Sequence, residues 1–339
     1  MSGFTLGVAI LGGLVLVIVV AWNAWNARRL RPRQPAIEER REPGATPEPV
    51  EPSFDPDDTP LPMPERKPGL DALIDVLAPI PVESPVSGEA AIAALPATRR
   101  AGSKPFAVEG CNEGTQHWET PQPGQRYTAF QAGVQMANRT GALNEIEYSE
   151  FVVKTQAFAD AVNGAPEFPE MLHEVARARE LDQFAGDHDA QLGFTLRARN
   201  SAWSPGYVHQ NAARLGFVAG VIPGRMVLPS GTQGQPPILV LSFDTQAALA
   251  DDPAQSAIRE VTLSLDVPQV HRAEQPFQRM RDAAAALAES MDGALTDDNG
   301  QVIQAEGLDV IGADLEGLYD TLESRDLAAG SPQARRLFS

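Results

Sequence analysis

The chain has one cysteine, Cys111, in 339 residues. No internal disulfide can form, which suits a reducing compartment. Histidine is also scarce: the five residues at 117, 173, 188, 209 and 271 include no pair at a metal-ligand spacing, which argues against a zinc site. Acidic residues outnumber basic ones 45 to 27, and the formal charge of −18 removes the positive surface that a nucleic-acid binder needs to neutralise phosphates. Catalytic signatures are missing as well. There is no G-x-S-x-G elbow, no G-x-x-x-x-G-K-[ST] loop, no H-E-x-x-H, and no G-x-G-x-x-G opening a helix after a strand. Gly231-Thr232-Gln233-Gly234 reads as an ordinary loop between strands. Asp297-Asp298 precedes an Asn-Gly turn, where aspartate is favoured for local hydrogen bonding rather than for paired acid–base work. Cys111 and His117 stand six residues apart in a polar loop without a third group to orient them. The expectation is a chain that is not an enzyme and takes no cofactor, metal or small-molecule substrate.

What is present begins with Phe4 to Ala21, FTLGVAILGGLVLVIVVA, a run without a charge. As a helix it reaches roughly 27 Å at 1.5 Å per residue, close to the ~30 Å hydrocarbon core of a bilayer. No Lys or Arg precedes it and no small-x-small cleavage site follows it, so the run reads as a retained span rather than a signal peptide. Trp22 and Trp25 follow at the position of the membrane interface, and then come Arg28, Arg29, Arg31 and Arg33. Arginines so placed resist translocation, which predicts a periplasmic N-terminus and a cytoplasmic bulk on a single-pass inner-membrane protein.

From Pro32 to Pro96 the composition shifts, with 15 of the 29 prolines mixed among acidic and small residues. Proline lacks an amide donor and like charges repel, which predicts a stiff, disordered linker able to hold a distal domain away from the bilayer. Within it, Gly69 to Leu77, GLDALIDVL, sets Leu70, Leu73, Ile74 and Leu77 at helical spacing: a short amphipathic helix that is either a docking motif or a chance cluster. Order is expected from about Phe106, with a strand over Tyr127 to Asn138. A helix capped by Asn144 follows, its apolar positions Ile146, Phe151, Phe158 and Val162 on one face, and then a helix from Glu170 to Phe184.

The C-terminal part is more legible. Gln191 to Arg199 alternates with Leu192, Phe194, Leu196 and Ala198 on one side and Gly193, Thr195, Arg197 and Arg199 on the other, the period of a half-buried strand. A short helix starts at the Ser204 cap with Pro205 in its first position. Strands follow over Phe217 to Leu228 (interrupted at Pro223-Gly224), Pro237 to Asp244 and Val261 to Val267. Glu274 to Met291 then gives an amphipathic helix ended at Gly293, Asn299-Gly300 a tight hairpin, and Leu308 to Leu327 a last helix. The fold class expected is α+β: an antiparallel sheet with helices on one face and the other face open, preceded by one transmembrane helix and a disordered linker. The divisions are 1–27 for the span and its flank, 28–105 for the basic stop and linker, 106–190 for an unassigned extension, 191–330 for the C-terminal domain and 331–339 for a tail.

Within that domain Phe277, Met280, Ala284 and Ala288 form F-x-x-M-x-x-x-A-x-x-x-A. Gly293 and Asp297-Asp298 follow before the hairpin, and Leu215-Gly216-Phe217-x-x-Gly220 and Val267-Pro268 complete a pattern. With the N-terminal span, basic stop and Pro-rich linker, it resembles the bacterial cell-division ZipA family of FtsZ-binding membrane anchors. The resemblance implies that the domain binds the C-terminal tail peptide of FtsZ, the tubulin-like GTPase of the division ring, in a shallow apolar groove on the open sheet face. That face would include Thr195, Val221, Ile222, Thr262 and Ser264, with Val221 and Ile222 on the second strand. It further implies a tether that stabilises the Z ring at the septum. Two positions depart from the family pattern: an aromatic is expected where Ser264 stands, and an arginine near Gly300. The alternative reading is a membrane-anchored envelope scaffold that binds another protein through the same domain or through 106–190.

Overall fold

The computed structural model describes residues 32–35, 69–232, 234–250, 256–297 and 300–339. The expected span from Phe4 to Ala21, its tryptophans, and Arg28, Arg29 and Arg31 lie outside them. Among the described residues no helix is long and apolar enough to cross a membrane. The architecture is α+β, with antiparallel sheets and helices, divided between two compact units. The first unit takes Pro64–Ala190, Val267–His271 and Glu316–Ser339; the second takes Gln191–Asp266, Arg272–Leu315 and, among the N-terminal residues described, 32–35.

In the first unit β1 (Asp75–Ser87) is followed by α1 (Gly88–Ala94), β2 (Arg100–Ala101), β3 (Lys104–Asn112), β4 (Trp118–Glu119) and β5 (Arg126–Gln135). The short hairpin β6 (Ala137–Asn138) and β7 (Gly141–Ala142) leads to helices α2 (Glu145–Ala161) and α3 (Met171–His188). The sheet runs β1-β5-β3-β2, with β4 on β3. Val76, Ala78 and Ile80 alternate inward from β1 onto a core that includes Phe106, Phe130, Phe151 and Phe158. Its rings meet edge to face, Phe130 on Phe158 at 5.2 Å and Phe106 on Phe151 at 6.1 Å. A full capping box starts α2: the Asn144 side chain accepts from the N–H groups of Ile146 and Glu147, and Glu147 returns a bond to the Asn144 N–H. Ile146 is not on the buried face expected for it; it is 82% exposed.

The linker reading of 28–105 is corrected over residues 69–105, which are folded, and order begins at Gly69 rather than Phe106. Proline count misleads here because position decides. Pro79 and Pro81 stand at alternate positions of edge strand β1, and their carbonyls accept from the N–H groups of Glu167 and Ala165 on the strand's outer side. A residue's N–H and C=O share one side of a strand, so the missing donors face that edge and take nothing from the β1–β5 ladder. Gly69 to Leu77 is likewise no helix: it is a turn over Ala72–Ile74 running into β1.

The second unit contains β8 (Gln191–Ala198), α4 (Pro205–Arg214), β9 (Val218–Ala219), β10 (Arg225–Leu228), β11 (Leu239–Ser242) and β12 (Glu260–Asp266). They are followed by α6, preceded in the chain by the single-turn α5 (Thr245–Ala248); α6 spans Pro276–Met291, β13 spans Gly293–Thr296 and α7 spans Ala305–Glu323, of which the residues up to Leu315 belong to this unit. Its sheet order is β13-β8-β12-β11-β10-β9. Phe194, Leu196, Val261, Leu263, Leu265, Leu239 and Leu241 are buried, and so are Phe277, Met280, Ala284, Leu287 and Met291 on α6. Phe277 meets Phe194 edge to face at 6.5 Å. The last helix, α8 (Pro332–Leu337), returns to the first unit, where Gln269 donates to the Phe338 carbonyl at 2.8 Å.

The two units share a run of elements in one order, a strand, a short helix, three further strands and a long helix, with β4, β6 and β7 added in the first and β9 and α5 in the second. Each opens with a strand (β1, β8) and then a helix (α1, α4) capped by a serine, Ser87 or Ser204, and closed at a leucine, Leu95 or Leu215. Strand order β1-β5-β3-β2 corresponds to β8-β12-β11-β10. Each long helix (α2, α6) is followed by a left-handed residue, Asn163 at φ 53° or Asp292 at φ 55°, and by a glycine that pairs with the opening strand: Gly164 with Val82, Gly293 with Ala198. A Cβ on Gly164 would lie 2.6 Å from Ile80 Cγ2, and one on Gly293 2.7 Å from Leu196 Cδ1. Ile80 and Leu196 each stand two residues before the paired position, so the close approach is the same in both units.

Arg33 is folded as well. Its N–H donates to the Ala202 carbonyl at 2.6 Å, its carbonyl accepts from the Ser204 N–H at 3.0 Å, and its guanidinium meets Asp292 at 2.9 Å, all within the second unit. The Pro-rich stretch from 36 to 68 is therefore not what joins Arg33 to the second unit, as the spacer reading requires; in chain order it runs from residues held on that unit to Gly69 in the first.

Candidate docking face

Antiparallel register decides which side chains share the face of the second unit's sheet opposite its buried set. Thr262 pairs with Thr195 and with Ser242, and Ser264 with Gly193 and with Val240. Val227 pairs with Val240 and with Val218. At the far edge Thr296 pairs with Thr195, and its hydroxyl donates to the Thr195 carbonyl at 3.1 Å. Because the strand period is two, these residues all point away from the buried set Phe194, Leu196, Val261, Leu263 and Leu265. Thr195, Thr262, Ser264, Val240, Ser242 and Val227 are half-buried, and Val218 is 50% exposed. The result is a shallow strip of small hydroxyls and valines, with Ser264 directing its own hydroxyl to the Val240 carbonyl at 3.3 Å.

Of the five residues expected on this face, Thr195, Thr262 and Ser264 are brought together. Val221 and Ile222 are not on a strand. They occupy the turn between β9 and β10, fully exposed and 52% exposed respectively. The position is corrected because Pro223 and Gly224, at φ 76°, close a turn there rather than interrupting one long strand. Val218, Val227 and Val240 were not singled out by sequence. Val240 could have been, since alternation in PILVLSFD places it opposite Leu239 and Leu241.

Charge on this face comes from Arg225, exposed and paired in register with Ser242, and from the row of Arg197 and Glu260. Arg197 pairs with Glu260 at 3.3 Å. A Cβ on Gly300 would stand 2.9 Å from Arg197 Nη1, so a guanidinium occupies the neighbourhood where the family pattern puts an arginine, supplied from β8. A recess of about 430 Å³ lined by Ser242, Asp244, Arg259, Glu260 and Thr262 continues the face at one end of β11 and β12. The groups of this unit with displaced proton affinity lie elsewhere. Burial lowers that of His209 on α4; Asn200's hydrogen bond, with the charges of Arg33 and Arg199, lowers that of Asp292. The strip itself has the character of a docking surface, with backbone edges, small side chains and an apolar rim.

Residues 241–313 match the family model described as ZipA, C-terminal FtsZ-binding domain. Over these residues the second unit is similar to that domain. The matched stretch holds β12, α6, β13 and the start of α7, and hence Thr262, Ser264 and the helix beneath them. The family is one of FtsZ-binding domains in cell division, defined by binding and not by a reaction. No curated protein matches the chain.

Proposed function

We propose that the strip formed by β8, β12, β11 and β10 binds the C-terminal tail peptide of FtsZ, and that the chain thereby tethers FtsZ filaments to the bacterial inner membrane and stabilises the Z ring during septum assembly. The observation that carries the reading is the coincidence of two things on one stretch: the match to an FtsZ-binding domain, and the strand that presents Thr262 and Ser264 on the face opposite the buried set. An extended or helical peptide laid there would bury Val218, Val227 and Val240 against its own apolar side chains. Membrane attachment rests on Phe4 to Ala21 and the arginines that follow. With Arg33 held on the second unit, the eleven residues from 22 to 32 set the tether. Fully extended they reach ~40 Å, so the docking face works close to the bilayer. The protein is single-pass, with its N-terminus periplasmic and its bulk cytoplasmic.

The test is calorimetric titration of the full chain in detergent with a synthetic FtsZ tail peptide. Saturable binding with negative ΔCp is expected, and no heat and no competition at high peptide concentration would sink the reading. In cells the protein should form a midcell ring that disappears when FtsZ is depleted. A uniform membrane signal would favour the scaffold alternative.

A further inference from the structure

The first unit repeats the layout of the second, and its corresponding face is not free. Register places Pro79, Gln131, Gly133, Ala107 and Glu109 where the second unit has Thr195, Thr262, Ser264, Val240 and Ser242. On that face lies Gly69-Leu70. The Leu70 N–H donates to Glu109 Oε1 at 3.0 Å, while Gln131 Nε2 donates to Glu109 Oε2 at 2.9 Å. A Cβ on Gly133 would fall 2.5 Å from Leu70 Cδ2 and 2.9 Å from Cδ1; the absence of a side chain at 133 is what leaves room for the leucine. C-terminal residues clasp the same segment: Arg336 Nη1 donates to the Gly69 carbonyl at 3.1 Å and to Asp75 at 2.9 Å, and Gln333 donates to Asp71 at 2.8 Å.

We propose that the first unit is a second peptide-docking unit whose sheet face is occupied in cis by the chain's own Gly69–Leu70 segment, with Leu70 as the anchor above Gly133. A main-chain N–H taken by a face residue and one apolar side chain set into a notch is how a sheet face receives a peptide. Covalent attachment gives the segment a millimolar effective concentration, which excludes a weak competitor from solution. Each chain then offers one vacant face, on the second unit, and one filled face.

The probe is a synthetic peptide of residues 64–74 titrated into isotope-labelled full chain in detergent. In a Leu70→Asp variant the amides of Ala107, Glu109 and Gly133 should shift saturably on addition. The wild-type chain, with its face filled, should show no shift at these amides. A peptide carrying Asp in place of Leu70 should be inert, and adding Gly133→Leu to the variant should abolish the response. If Leu70→Asp does not fold, as judged by circular dichroism, Leu70→Ala is read the same way. Absence of saturable shifts in the folded variant overturns the proposal, as does an equal response in wild type. An FtsZ tail peptide reports instead at Thr195 and Thr262, so failure of that reading and failure of this one are seen at different residues.

Discussion

The larger sheets of the two units share a four-strand order and differ in what lies on them. In the first unit the face is finished with Pro79, Gln131, Gly133 and Glu109, and a leucine from the preceding segment is fitted over the glycine. In the second, the same positions are Thr195, Thr262, Ser264 and Ser242, bordered by exposed valines. A carboxylate and an amide at the centre of a face suit a fixed, hydrogen-bonded occupant. Small hydroxyls beside valines suit one that comes and goes, because little desolvation is spent on them when the face is bare. The fold supplies the platform; a few side chains at fixed register decide whether it is closed or available.

The largest effect expected from breaking the comparison is in the clasp of the filled face. Asp75 has a fully buried side chain, and Arg336 is its ion-pair partner. Arg336→Ala should destabilise the first unit by about 3 kcal/mol, the usual cost of stranding one partner of a buried pair. Amide exchange in β1 and β5 measures it, with β8 and β12 unchanged. The loss should depend on pH. Burial raises the Asp75 pKa above its ordinary 3.8, and Arg336 opposes that rise. A folded-state pKa above the unfolded one means that ionisation works against folding as pH climbs. Without Arg336 that opposition is gone, so the deficit should be greatest near pH 8 and shrink as the pH falls towards 4.

A matched pair of substitutions tests whether the units are built alike. Gly164→Ala and Gly293→Ala each put a methyl against the same position of the opening strand, Ile80 or Leu196. Each should cost its own unit about 2 kcal/mol by overpacking and leave the other unaffected. Unequal losses, with one glycine freely replaceable, would separate the two designs. On the vacant face, Val240→Asp should weaken FtsZ tail binding about tenfold, roughly 1.4 kcal/mol, by placing a charge under an apolar contact. Ala107→Asp, the corresponding change on the filled face, should leave that titration unaltered.

Much of the second unit is written plainly in its sequence because its signals are local. The alternation of Gln191 to Arg199, the Ser204-Pro205 cap and the stripe of Phe277, Met280, Leu287 and Met291 are each set by neighbours a few residues away, and each element forms where those signals put it. The first unit is harder because its decisive contacts are distant. Prolines tolerated on the outer side of β1 need residues 165 and 167 to reveal which side is outer. Leu70 and Leu77 have helical spacing, yet both reach Gly133, one from the segment before the turn and one from the adjacent strand, which only the fold brings together. At the docking strip, Thr195, Thr262 and Ser264 follow from alternation alone. The valines beside them, and the removal of Val221 and Ile222 to a turn, depend on how β9 and β10 fold back on each other.

Arg33 gives the smallest effect and the one that bears most on reach. In a basic cluster it reads as a topology signal, but it also fixes the start of the second unit: its backbone bridges Trp203, and its guanidinium reaches Asp292 and the Met291 carbonyl at 3.2 Å. About a third of each charged side chain is exposed, 34% and 33%, so solvent screens the pair and it adds little to stability. Arg33→Ala should therefore barely alter unfolding of the second unit. What it should alter is position. On the proposed membrane attachment, loosening that contact lengthens the chain between bilayer and docking face, and transfer from a dye in the bilayer to a fluorophore on Val221 should fall. If transfer is unchanged while Asn200, the other side chain bonded to Asp292, keeps its contact, then the backbone bridge at Trp203 alone holds the tether short.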